Sequence, residues 1–203
     1  MKLLKYLSSI AIGFAIVFLS QSCRDTKSAP LPVFETAVHG FAKFKGDDFL
    51  SASDLAKTNP YTFRWVSIDN INTVNKIEFF VTLFEDYSDK DGNDRTAVHG
   101  RKLFKTLEGG TAPANRAFTD QTVTSGDVYN LFKDAAFDYG LGGGKKPVFD
   151  QMGRTTAKRF TGNDYFSISW NLTTADGRKF TEWSPAVCGS TDGANCTLDY
   201  YFK

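Results

Sequence analysis

The sequence predicts a mainly β domain, an antiparallel β-sandwich that carries one partly helical insertion. Three observations predict it. Apolar residues recur at every second position in most segments after residue 33. Asp-Gly pairs stand where alternating runs turn back on themselves, at Asp91-Gly92 and Asp176-Gly177. Aromatic residues make up 15% of the chain, 19 of them phenylalanine, enough to fill the space between two sheets.

The N-terminus reads as a leader. Lys2 and Lys5 precede an apolar run from Ile10 to Leu19. That run has signal-peptide length and is too short for a permanent membrane span, so residues 1–22 are expected to be removed. It closes on Leu19-Ser20-Gln21-Ser22-Cys23, which resembles the lipobox of bacterial lipoproteins. The resemblance implies that the Cys23 thiol receives a diacylglyceryl group and becomes the lipidated N-terminus. Ser20 and Gln21 stand where smaller residues are more usual, a looseness typical of Bacteroidota. More than one acyl chain gives a stable anchor where one would not. Arg24 to Pro32 is polar and then proline-rich, and reads as a tether. The β domain is expected over residues 33–203.

Within it, Val33 to Phe44 predicts a first strand and Tyr61 to Ile68 a second. Asn75 to Phe84 alternates most clearly, with Ile77, Phe79, Val81 and Leu83 on one face. The polar turn Asp89 to Asp94 leads into a returning strand, Thr96 to Leu107. Tyr165 to Leu172 places Phe166, Ile168, Trp170 and Leu172 together, and Asp176-Gly177 turns it into Arg178 to Trp183. Thr197 to Phe202 predicts the last strand. Between these, about residues 109–153 predict an insertion, mobile apart from a helix over Ser125 to Ala136. Ser125 is its expected N-cap, and Gly140 to Gly144 ends it in a flexible loop.

Charge and cysteines narrow the function. The chain has 24 basic and 23 acidic residues; without Lys2 and Lys5 the balance is 22 to 23, a formal charge of −1. A neutral domain with no polybasic stretch has no electrostatic footprint for nucleic acid. Three cysteines are an odd number for an exported protein. Lipidation of Cys23 leaves Cys188 and Cys196, joined by a turn-rich segment that can close as a disulfide.

Candidate site residues are few. Both histidines lie in a repeated pentamer, Thr36-Ala37-Val38-His39-Gly40 and Thr96-Ala97-Val98-His99-Gly100. Two imidazoles alone make a thin metal site, and similarity between the copies stops soon after the pentamers. The expectation is two strands with similar local needs, each histidine at a surface or strand end, and no metal between them. Asp86, Asp89, Asp91 and Asp94 surround a turn that could hold calcium weakly, although its glycine falls at the wrong place for an EF-hand. Tyr139, Trp183, Tyr200 and Tyr201 stand near loops or strand ends, where rings can stack on a ligand. The chain carries no nucleophile elbow, zinc-protease helix motif or phosphate loop.

Leader, tether and sandwich together resemble the immunoglobulin-like outer-membrane lipoproteins of Bacteroidota, with Tyr165 to Phe180 as the local match to an Ig-type strand–turn–strand. Some members are accessory subunits beside TonB-dependent nutrient importers. The resemblance implies a non-enzymatic binding or accessory subunit anchored in the outer membrane, facing the periplasm or the cell surface. It also implies an integral outer-membrane partner and a glycan or peptide ligand, with no cofactor beyond the Cys23 lipid. The alternative is a glycan hydrolase with its site in the 109–153 insertion.

Overall fold

The computed structural model describes residues 37–151, 153–181, 183–190 and 194–203. The leader, Cys23 and the tether lie outside the described residues. Eleven strands and two α-helices follow in order: β1 (Val38–Phe44), β2 (Phe49–Leu50), β3 (Thr58–Ser67), β4 (Val74–Ser88), β5 (Asp94–Glu108), β6 (Thr119–Thr124), α1 (Ser125–Phe132), β7 (Ala136–Phe137), β8 (Lys146–Pro147), β9 (Asp164–Thr174), β10 (Lys179–Phe180), α2 (Pro185–Ser190) and β11 (Thr197–Phe202). One sheet has the order β1-β3-β6. A larger one runs β2-β11-β9-β4-β5, with β10 beside β9, and β7 pairs β8. Every pairing is antiparallel except β2 with β11.

Period-two patterning settles which faces are buried. On β4 and β9 the expected sets, Ile77 to Leu83 and Phe166 to Leu172, are fully buried. Tyr61, Phe63 and Trp65 of β3 are equally buried and belong to the same apolar cluster. Phe63 stands edge-on to Phe79 at 4.9 Å and to Trp170 at 5.1 Å between ring centroids. The strands of the two sheets therefore share one core. Gly40 of β1 makes room for it: a Cβ there would lie 2.1 Å from Trp170 Nε1.

The segment expected to be a mobile insertion is built into the domain. Its residues Thr119–Thr124 form β6 along β3, and Val123, Val128, Phe132, Val148 and Phe149 are buried. Helix α1 is shorter than expected and ends at Phe132. Its N-cap is Thr124, whose side chain accepts from the Asp127 amide while Asp127 bonds back. Ser125 points inward and donates to the Ser51 carbonyl. The short β2 and β6 were invisible as strands because neither has a long enough alternation.

The outer edge of β1 is covered by the segment that precedes β11. The Asn195 side-chain amide pairs with both backbone groups of Ala42, at 2.8 and 2.9 Å, as a strand neighbour would. The Trp183 indole donates to the Val38 carbonyl at 3.0 Å. The Cys188–Cys196 disulfide, with 5.2 Å between Cα atoms, ties this segment together. An exposed sheet edge is a template for unwanted pairing, and here side chains occupy it.

Candidate functional site

The outer face of the larger sheet carries an apolar row that crosses five strands at one register level. Val98 of β5 is paired with Phe84 of β4, Phe84 with Tyr165 of β9, Tyr165 with Tyr201 of β11, and Tyr201 with Phe49 of β2. Val98 is 52% and Tyr201 44% exposed. Phe84 and Tyr165 are parallel, 4.9 Å between centroids, and Tyr165 and Tyr201 are 5.8 Å apart. A centroid spacing close to the spacing between strands means that rings stand upright, face to face. They turn edges, not faces, to solvent. The free face at one end, on Phe49, is covered by Lys203 Nζ at 3.0 Å from the centroid.

This geometry decides what the row can hold. A sugar ring stacks on an aromatic face, and the faces here are used by neighbouring rings. What remains is a ridge of ring edges and aliphatic groups that suits another apolar surface. A polar row lies beside it, where Ser167 donates to Asp199 at 2.5 Å. Beyond that, Arg101 sits over the Phe80 ring at 3.6 Å and donates to Ser169 and Asn171. Exposed Leu103 pairs with Phe80.

Directly behind the ridge, on the inner face, lies a closed polar network. Glu85 pairs in register with Asp164, one residue along from Phe84 and Tyr165. Arg154 bridges both acids, with Nη1 to Glu85 at 2.6 Å and Nη2 to Asp164 at 2.5 Å. The Tyr139 hydroxyl donates to Glu85 at 2.5 Å, and His99 Nε2 lies 3.2 Å from the same carboxylate oxygen. The side chains of Glu85, Arg154, Asp164 and His99 are each no more than 1% exposed. Burial pushes the Glu85 carboxyl up, but hydrogen bonds from His99 and Tyr139 and the charge of Arg154 outweigh it and leave it below its usual value. For Asp164 burial wins over Arg154 and Thr161, and its carboxyl sits above. Burial, then the bond to Glu85, raises the Tyr139 hydroxyl.

Several sequence expectations are corrected here. Tyr139 is 2% and Tyr200 0% exposed, so neither ring is open to a ligand. Trp183 is half-buried against β1, and only Tyr201 stands open. His99 is not at the surface: its side chain lies in the network, beside Phe137 at 5.4 Å between centroids. His39 is on the other sheet and lines a cleft with Ile68, Trp183 and Val187, so the two imidazoles do not meet. Three of the four aspartates accept hydrogen bonds within the β4–β5 hairpin. Asp89 accepts from the Asn93 and Asp91 amides and from Arg95, which holds its carboxyl at about 2. Asp86 accepts from Thr96 at 2.7 Å, and Asp94 from Ser88 at 3.3 Å. Among the described residues no group of three or more His, Cys, Asp or Glu is placed to hold a metal. Sequence reading missed Glu85, Arg154 and Asp164. The one available signal was a charge, Glu85, close to the end of a strongly alternating strand.

The chain matches no family model and no curated protein. Among solved structures it is similar to Spo0M, a sporulation control protein from Bacillus subtilis. The identity is 8%, the match covers 84% of this chain and 50% of that one, and the TM-score is 0.33. The chain thus spans half the length of that protein, and a likeness so loose assigns neither fold nor function.

Proposed function

We propose that this chain is a non-enzymatic, lipid-anchored outer-membrane protein, a binding or accessory subunit that docks on an integral outer-membrane partner through the aromatic ridge. Its two facing sheets make an immunoglobulin-like sandwich, and Cys23 carries the lipid. The observation that carries this reading is the in-register row of Val98, Phe84, Tyr165, Tyr201 and Phe49 on a solvent face. Large apolar side chains aligned on a face mark interaction surfaces. The hydrolase alternative places its site in residues 109–153; the buried carboxylate pair, Glu85 and Asp164, lies outside that segment, bound to one arginine and closed to solvent.

The test uses the full chain in its own membranes. Wild type, solubilised in mild detergent, should retain an integral β-barrel protein in stoichiometric amount. The double variant Val98→Ser, Tyr201→Ser should lose it while its melting temperature stays within a few degrees. Equal retention by the variant would refute docking through the ridge. Separately, Cys23→Ala should abolish incorporation of a palmitate analogue; undiminished label would refute the anchor.

A further inference from the structure

The outer face of the smaller sheet carries two cations that no acid among the described residues answers. Arg64 of β3 is paired in register with Phe41 of β1. Its guanidinium carbon lies 5.3 Å from the Phe41 ring centroid and 4.9 Å from that of Phe118. Lys43 Nζ lies 5.0 Å from the same Phe118 ring, which is 46% exposed. Among the described residues neither Arg64 nor Lys43 makes an ion pair. Asp120, which pairs with Thr62 in the same row of the sheet as Lys43, is held by Lys45 at 2.7 Å. Arg64 Nε is buried without a hydrogen-bond partner.

Two like charges beside one ring repel each other, and a buried N–H left unpaired is destabilising. A single oxyanion would answer both charges. Both rings lie to one side of the guanidinium, whose N–H groups form a fork shaped for two oxygens. A carboxylate would fill the fork and leave Lys43 unanswered. A tetrahedral phosphate has a further oxygen for it.

We propose that this face is an anion site for a phosphate group, with Arg64 holding two oxygens through its fork and Lys43 drawing a third. The phosphate belongs either to a small soluble ion or to a phospholipid headgroup. The site lies on the opposite sheet from the aromatic ridge and does not depend on that reading.

Calorimetric titration of the full chain in non-ionic detergent, at fixed ionic strength, tests it with two probes: inorganic phosphate and dihexanoylphosphatidylglycerol. Saturable binding is expected, weakened about tenfold or more by Arg64→Gln, a loss on the scale of one charged hydrogen bond. Lys43→Gln should weaken it less. Phe118→Leu keeps every charge and should weaken it by removing the ring that both cations lie beside; Lys43 and Phe118 are exposed enough to change without unfolding. Lys105→Gln, on the larger sheet, removes the same charge and should leave binding unchanged. Tighter binding of the lipid than of phosphate assigns the headgroup; equal or weaker binding assigns the free ion. No saturable binding of either probe at millimolar concentration, or equal weakening by Lys105→Gln and Arg64→Gln, overturns the site.

Discussion

Two regions of this molecule begin with the same words and do opposite things. Ala-Val-His-Gly at residues 37–40 opens β1; Ala-Val-His-Gly at 97–100 lies in β5. In the first copy Val38 is buried and His39 is on the outer face. In the second, Ala97 is buried, Val98 is 52% exposed and His99 points into the closed network. Side chains alternate faces along a strand, so one register step inverts the reading. The inversion is managed at the glycines. Gly40 is a straight strand residue whose missing Cβ admits Trp170. Gly100 has φ +85° at a bulge, where Gly100 and His99 of β5 face only Leu83 of β4. A second bulge adds Phe104, so β5 changes phase twice along its length.

The largest expected effect lies in the second region. Arg154→Leu would strip the partner from two buried carboxylates and should destabilise the protein by about 3–5 kcal/mol, read from a denaturant midpoint at unchanged m-value. Arg154 lowers both carboxyls. Without it both folded values rise, so the variant's deficit should be full above the raised values and shrink as pH falls through them. A deficit under about 1 kcal/mol, or one that does not shrink in acid, would mean that the network is not anchored as described.

What the sequence made legible was the periodicity. Ile77 to Leu83 and Phe166 to Leu172 alternate over four turns of the pleat, and their burial follows from pattern alone. The disulfide was legible from cysteine number. The closed network was not, because its members are far apart in the chain: Arg154 meets Glu85 across 69 positions and Asp164 across 10. The aromatic ridge was hidden for a related reason. Each strand contributes one ring, and only the register between strands lines them up. Tyr201 is legible as an exposed aromatic for ligand stacking or a partner interface, but the upright rings disfavour the stacking. The bulge at Gly100 could not be read at all, since Gly40 and Gly100 carry the same neighbours on the N-terminal side.

The two glycines give the next test. Gly40→Ala drives a Cβ into a fully buried indole, and overpacking of that kind should cost about 3 kcal/mol or more. At Gly100 a Cβ meets open space, and the cost is backbone strain alone, about 1–2 kcal/mol. A pair of melting curves checks this. If Gly100→Ala were the more damaging, the bulge rather than the close approach to Trp170 would be the stricter constraint, and the contrast between the copies would reverse.

The smallest effects come from the histidines themselves. Two surface histidines would both tolerate glutamine with little change. The structure separates them. His99→Gln removes a bond to the buried Glu85 carboxylate and a ring contact with Phe137, and leaves an acceptor under-satisfied, which should cost about 1–3 kcal/mol. His39 has no such partner. Burial, then the charge of Arg64, lowers its imidazole value, so the neutral form predominates near pH 7. Its replacement should stay within about 0.5 kcal/mol. The two sites are on different sheets and share no partner, so the double variant should equal the sum of the singles. Chemical denaturation of the two single variants and the double closes the cycle. If His39→Gln cost as much as His99→Gln, the pentamers would be equivalent after all, and the register assigned to β5 below Gly100 would be wrong.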